Sequence, residues 1–161
     1  MIATDATPVG QGPLLPRPVL PDVAAARLRG AAAAVEAQWE ALVAARRWYA
    51  DRAAVRHPGR PYPAIVPLLE AAREEPLLRR LYPFTSHLTL NFSSCTQHPF
   101  VLAAPSLTPL SDGRFQIRSR ATRAVTGIVD GVDEAVALAL AGLPAGTGPA
   151  VAGPGDRARQ R

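Results

Sequence analysis

Ser86-His87-Leu88-Thr89-Leu90-Asn91-Phe92-Ser93-Ser94-Cys95-Thr96-Gln97-His98-Pro99-Phe100 marks the point where the hydrophobic period changes from about 3.6 to about 2. Successive side chains of a strand point to opposite faces. Leu88, Leu90 and Phe92 therefore share one face of an extended segment, and His87, Thr89, Asn91 and Ser93 share the other. The first face belongs to a core and the second is a polar row. The same stretch holds the only Cys of the chain and two of its three His.

Toward the C-terminus the strand signals continue. A strand over Ser86 to Ser93, a loop at Ser94 to His98 and a second apolar run, Phe100 to Ala104, predict a hairpin. Leu107 to Leu110 then pairs with Arg114 to Arg118 across Ser111-Asp112-Gly113, where Asp-Gly supplies the positive φ of a tight turn. A last strand, Ala124 to Val129, leads to Asp130, which is expected to cap a helix carrying Asp133 and Glu134 in its first turn. Val132, Ala135, Val136, Ala139, Leu140 and Leu143 form its apolar stripe, and Gly142 and Pro144 end it.

Toward the N-terminus the signals are helical. Tyr82-Pro83-Phe84 hands the chain to the first strand with its aromatics under the sheet. Pro76 opens a short helix with Leu77, Leu78 and Leu81 on its apolar side, closed by Pro83. Leu68, Leu69 and Ala72 lie on another that starts near Pro63 or Pro67 and finishes before Pro76. Asp22 caps a long Ala-rich helix running to His57, where Pro58-Gly59 must stop it, with Gly30 as its weak point. Leu28, Ala31, Val35, Trp39, Leu42, Tyr49 and Ala53 trace its stripe, making Trp39 and Tyr49 core residues; Trp48 lies beside the stripe, placed to cover a neighbouring element. Helices, then a meander, then a helix predict an α+β fold: a four- to five-stranded antiparallel meander with a long N-terminal helix, two short helices and a C-terminal helix packed on one face.

The 161 residues fit one domain, read as residues 22–143 between a Pro-rich leader, 1–21, and a flexible Pro/Gly/Arg tail, 144–161. Every one of the 18 basic residues is Arg. The net charge of +5 is shared between residues 22–60 and the segment from Pro149, while no zinc-finger spacing, aromatic ribonucleoprotein signature or basic block accompanies it. Nucleic acid is therefore a disfavoured partner. One Cys forms no internal disulfide, no secretory signal opens the chain, and its apolar runs are far shorter than a membrane span. These features place the protein in the cytoplasm, off the membrane.

The sequence of words Glu74-Glu75-Pro76-Leu77-Leu78-Arg79-Arg80-Leu81-Tyr82-Pro83-Phe84-Thr85-Ser86-His87, Phe92-Ser93-Ser94-Cys95-Thr96, His98-Pro99-Phe100, Leu110-Ser111-Asp112-Gly113-Arg114-Phe115-Gln116-Ile117, and Asp133-Glu134-Ala135-Val136-Ala137-Leu138 ahead of Leu143-Pro144-Ala145-Gly146 resembles an uncharacterised actinobacterial family of natural-product biosynthesis proteins. The resemblance spans residues 35–151 and implies a genomic setting rather than a reaction. It carries over no catalytic residue.

Two chemistries deserve weighing from the residues. Cys95 and His98 form a candidate thiolate and general-base pair, because a nearby His lowers a thiol's pKa. His87 is excluded as the partner of Cys95, since eight residues of strand span about 26 Å. The polar row His87, Thr89, Asn91 and Ser93, joined by Gln116 and Arg118, is a candidate ligand-binding face; Arg118, Arg120 and Arg123 add charge suited to a carboxylate or phosphate. Zinc through Cys95, His98, His87 and His57 lacks paired ligand spacing, and there is no phosphate loop or dinucleotide turn, so no metal or cofactor is expected. The expected function is an accessory or binding protein in a specialised-metabolite pathway, its partner a pathway protein or small-molecule intermediate. The alternatives are a small Cys-dependent transferase or hydrolase using Cys95 and His98, and an Arg-rich nucleic-acid or regulatory binder. Whether the protein is an enzyme, and its oligomeric state, are left open by these residues.

Overall fold

The computed structural model describes residues 15–155; the leader up to residue 14 and the last six residues lie outside them. Asp22 caps α1 (Val23–Leu28), its carboxylate accepting from the Ala25 amide at 2.9 Å. The expected single helix to His57 is broken at Gly30, whose φ of 114° is one that L side chains rarely adopt, and α2 (Ala31–Arg56) starts afresh after it. The break turns Leu28 out to solvent. Tyr49 is also exposed, because the core-facing stripe of α2 runs only from Ala34 to Val43. Trp48 does cover a neighbour: its indole N–H donates to the Leu15 carbonyl at 3.3 Å, and Arg17 and Arg52 flank its ring.

Two short helices follow, α3 (Ile65–Glu74) and α4 (Pro76–Arg79), the second opening on Pro76 as expected. The first strand, β1 (Tyr82–Ser86), begins earlier than the periodicity implied. What reads as one strand from Ser86 is a hairpin: β1 and β2 (Thr89–Ser93) are joined by His87-Leu88, with Ser86 opposite Thr89 and His87 at a φ of 55°. A two-residue hairpin requires positive φ, and nothing in an alternating polar and apolar pattern announces that a His supplies it. Pro83 is tolerated in β1 because β1 is an edge strand.

The run Phe100 to Ala104 forms no strand. It follows β2 through one bridge, Ser93 opposite Leu102, and the Ala103 amide donates to the Phe92 carbonyl at 2.8 Å. The neighbour of β2 is instead β4 (Ser106–Pro109), reached after β3 (Cys95–Gln97). From β4 the meander proceeds as read from the sequence: β5 (Phe115–Arg118) and β6 (Val125–Val129) complete an antiparallel sheet in the order β1-β2-β4-β5-β6. The final helix, α5 (Val132–Ala141), is capped by Gly131 rather than Asp130.

The segment read as a flexible tail contains β7 (Val151–Pro154), which pairs in parallel with β3. Arg80 clips it down: its guanidinium donates to the Thr147 carbonyl at 2.6 Å, and its own carbonyl accepts from the Ala150 amide at 3.0 Å. Non-local hydrogen bonds of this kind carry no local composition signal.

The helices α2, α3 and α5 cover the inner face of the sheet. Their core joins Trp39, Ile65, Leu68, Leu69, Leu78 and Leu81 to Leu90, Phe92, Leu107, Phe115 and Ile117 from the strands, and to Ala135, Val136 and Ala139 from α5. Trp39 is its centre, with its ring centroid 6.3 Å from Phe92 and its N–H donating to the Arg79 carbonyl at 2.8 Å. Among the described residues the outer sheet face carries no helix layer of this kind. Among the described residues, no helix is long and apolar enough to cross a membrane.

Candidate functional site

Strand register decides what the outer face displays. Phe84 on β1 lies opposite Asn91 on β2, Leu90 opposite Leu107, and Ser106 on β4 opposite Arg118 on β5. Directly paired residues share a face, so Phe84, Asn91, Ser106 and Arg118 form one row across the sheet. Thr89, Thr108, Gln116 and Ile128 form the row beside it. The polar members are wired together. Thr89 and Thr108 hydroxyls meet at 2.8 Å, Ser106 donates to Asn91 Oδ1 at 2.6 Å, and Asn91 Nδ2 donates to the Thr89 carbonyl at 3.2 Å.

Asn91 and Ser106 are only 4% and 0% exposed, although they stand on the face that alternation marks as polar. Buried polar groups need partners, and the partner here is Arg123. From the β5–β6 turn, at a φ of 61°, Arg123 places Nη1 2.7 Å from Ser106 Oγ. Its carbonyl accepts from Arg118 Nη1 at 3.0 Å. With its amide turned so that oxygen faces Arg118, Gln116 accepts from Nε at 3.0 Å and Nη2 at 3.2 Å. Both guanidiniums are thus oriented by neutral oxygens. Among the described residues neither is within ion-pair distance of a carboxylate, in contrast to Arg47, Arg73, Arg79 and Arg114.

A cleft of about 370 Å³ lies elsewhere, between α2, α4 and Pro149-Ala150. Glu36 there is spent on Arg73 and Arg79, whereas Arg80 donates only to the Thr147 carbonyl and its buried Nε has no hydrogen-bond partner among the described residues. Burial pushes the Glu36 carboxyl up, but the two guanidiniums outweigh it and hold the pKa below the ordinary carboxylate value. Among the described residues that cleft therefore holds one guanidinium without a carboxylate, Arg80, against two on the sheet face, Arg118 and Arg123.

Of the six residues expected on a ligand-binding face, Thr89, Asn91, Gln116 and Arg118 come together. His87 does not, because it sits in the hairpin turn with its carbonyl taken by Arg46 Nη2 at 2.8 Å. Ser93 does not either, being fully buried beneath the 94–104 segment with its hydroxyl accepting from the Cys95 amide at 3.1 Å. Periodicity announces neither Ser106 nor the place of Phe84, since it starts the strand at Leu107 and sets the Phe84 ring beneath the sheet, whereas β4 begins at Ser106 and Phe84 stands opposite Asn91.

Cys95 and His98 occupy different environments. Cys95 is fully buried in β3, its sulfur 3.3 Å from Ser93 Oγ and 3.5 Å from the Gln97 and Pro99 carbonyls. His98 is exposed and meets Phe100 edge-on, with centroids 5.8 Å apart. No hydrogen bond joins imidazole to thiol, and a substrate reaches the sulfur only if β3 opens. Among the described residues, no three His, Cys, Asp or Glu side chains converge as a metal site.

Residues 33–154 match the model of a protein family whose function is unknown. No curated protein and no solved structure matches the chain.

Proposed function

The chain belongs to that family of unknown function, DUF6193, and from this premise we propose that it is a cytoplasmic binding protein of a specialised-metabolite pathway, holding an anionic small-molecule intermediate on its outer sheet face. The pathway assignment rests on the resemblance of residues 35–151 to natural-product biosynthesis proteins. One observation carries the ligand class: Arg118 and Arg123 are held over the same face by Gln116, Ser106 and a backbone carbonyl, with no carboxylate among the described residues within ion-pair distance.

Guanidinium is a planar, permanently charged donor fork that matches a carboxylate or phosphate. Fixing it beforehand on a buried Asn91–Ser106 pair lowers the ordering cost of binding. Neighbouring Thr89, Thr108 and Gln116 supply neutral hydrogen-bonding groups around that charge. A binding protein needs no more than this.

The test is a titration of the full chain with acetate and with inorganic phosphate, followed by amide NMR. Shifts concentrated at Ser106, Gln116, Arg118 and Arg123, and weakened about ten-fold or more by Arg123→Gln, are the expected result. Shifts scattered over all Arg-bearing surfaces, indifferent to Arg123→Gln, would overturn the proposal. Co-purification with the products of neighbouring genes tests the pathway assignment separately.

A further inference from the structure

Beside the guanidiniums on the same face stands an aromatic ledge that an anion alone does not use. Phe100 stacks on Phe84, with centroids 4.5 Å apart and planes 24° from parallel, and on Tyr82 at 5.6 Å; His98 abuts it edge-on. Tyr82 is buried, Phe84 and Phe100 are partly buried with an edge left to solvent, and His98 is exposed. The run Val101 to Pro105 fails to pair as a regular strand, and this is what lets Phe100 fold back over β1.

Register fixes the distance between ledge and charge. Phe84 faces Asn91, Asn91 accepts from Ser106, and Ser106 accepts from Arg123. Two strand spacings separate Phe84 from Ser106, about 10 Å at the backbone. Long side chains shorten that gap, and Asn91 between them is closed to water. A charged fork and an aromatic surface therefore stand on one sheet face about two strand spacings apart, with the buried Asn91–Ser106 pair between them. Such a pairing selects an aromatic ring attached to an anionic group, since the ring stacks or meets an edge while the anion takes the fork.

We infer that the ligand is an aryl carboxylate whose ring lies against Phe100, Phe84 and His98 while its carboxylate is held by Arg123 and Arg118. This deepens the anion-binding reading and rests on it. The Arg-paired cleft by Glu36 and the buried thiol of Cys95 offer no comparable combination.

The experiment compares 2-naphthoate, cyclohexanecarboxylate and acetate by calorimetry on the full chain, three probes of equal charge. The expected order is naphthoate tighter than cyclohexanecarboxylate by about ten-fold, with acetate weakest. Phe100→Leu is expected to erase most of the naphthoate advantage and leave acetate unchanged. His98→Ala, an exposed substitution that leaves the core intact, is expected to reduce it about two- to three-fold. Arg123→Gln weakens all three. Equal affinity for naphthoate and cyclohexanecarboxylate, with Arg123→Gln still weakening both, overturns the aryl specificity and leaves anion binding standing. If none of the three binds, the aryl carboxylate falls and the anion reading stands only if inorganic phosphate binds; if Arg123→Gln has no effect on any of these anions, both readings fall.

Discussion

Phe92 and Trp39 show how a single residue commits the fold. Phe92 is on the apolar side of the alternation and fully buried against Trp39, whose indole N–H closes the free carbonyls of Arg79 and Leu81 at the end of α4. Phe92→Ala removes a packed ring and leaves a cavity, so a loss of about 3–5 kcal/mol is expected in urea unfolding. Cys95 makes the opposite point, because a residue type that is rare and reactive as a chemical group is here fully buried. Its thiol is expected to resist a disulfide-exchange reagent in the native protein and to react fully once unfolded; rapid stoichiometric labelling under native conditions would restore the thiol-enzyme alternative.

Glu36 carries a pH dependence whose sign follows from its partners. Its pKa is lowered from an ordinary 4.5 because hydrogen bonds and charge from Arg73 and Arg79 outweigh the opposing effect of burial. The folded state therefore binds this proton less readily than the unfolded state. The stabilisation is complete above the unfolded value and is lost as pH falls through the lower folded value. In thermal melts, Glu36→Gln is expected to reduce the difference in stability between neutral pH and the acid side of the carboxylate range. A variant with the wild-type acid slope would show that the cluster contributes nothing.

At the scale of elements, Gly30 and the strand pair β3–β7 govern how the helices and the tail attach. Breaking the helix at Gly30 lets α1 turn back, so that Arg27 donates to the Thr96 carbonyl at 3.3 Å and to the Tyr82 hydroxyl at 3.1 Å. Gly30→Ala sets a positive φ against Cβ, costing about 1–3 kcal/mol or straightening α1 into α2. Faster hydrogen exchange in Ala25 to Leu28 is the expected signature. At the far end of the chain, a Cβ on Gly155 would lie 2.4 Å from Val101 Cγ2 and 2.8 Å from the Pro99 carbonyl. Gly155→Ala is therefore expected to loosen β7 and expose the Val151 and Gly153 amides to exchange, while leaving protection in β5 unchanged. Composition does not announce β7: the Pro and Gly content of residues 144–155 is that of a mobile segment, but the bonds that hold them come from Ser94, Thr96 and Arg80, more than fifty residues away.

For the molecule as a whole, the two faces of the sheet have separate tasks. The inner face takes up α2, α3 and α5 and holds the core. The outer face keeps a patch of guanidinium and aromatic surface beside the 94–104 segment, and both proposals about ligand binding belong there. The α+β class, the antiparallel sheet, the Asp112-Gly113 turn, Pro76 at the head of a helix and the apolar side of β2 were all determined by the sequence. Periodicity, caps and turn residues act within a few positions of one another, and their effects survive in isolation. The hairpin at His87, the break at Gly30 in place of one helix, the pairing of β3 with β7, and the meeting of Asn91, Ser106 and Arg123 were decided only by tertiary structure. Each depends on a hydrogen bond or a stacking contact between residues that the linear chain keeps apart, or on a backbone angle that side-chain alternation does not report.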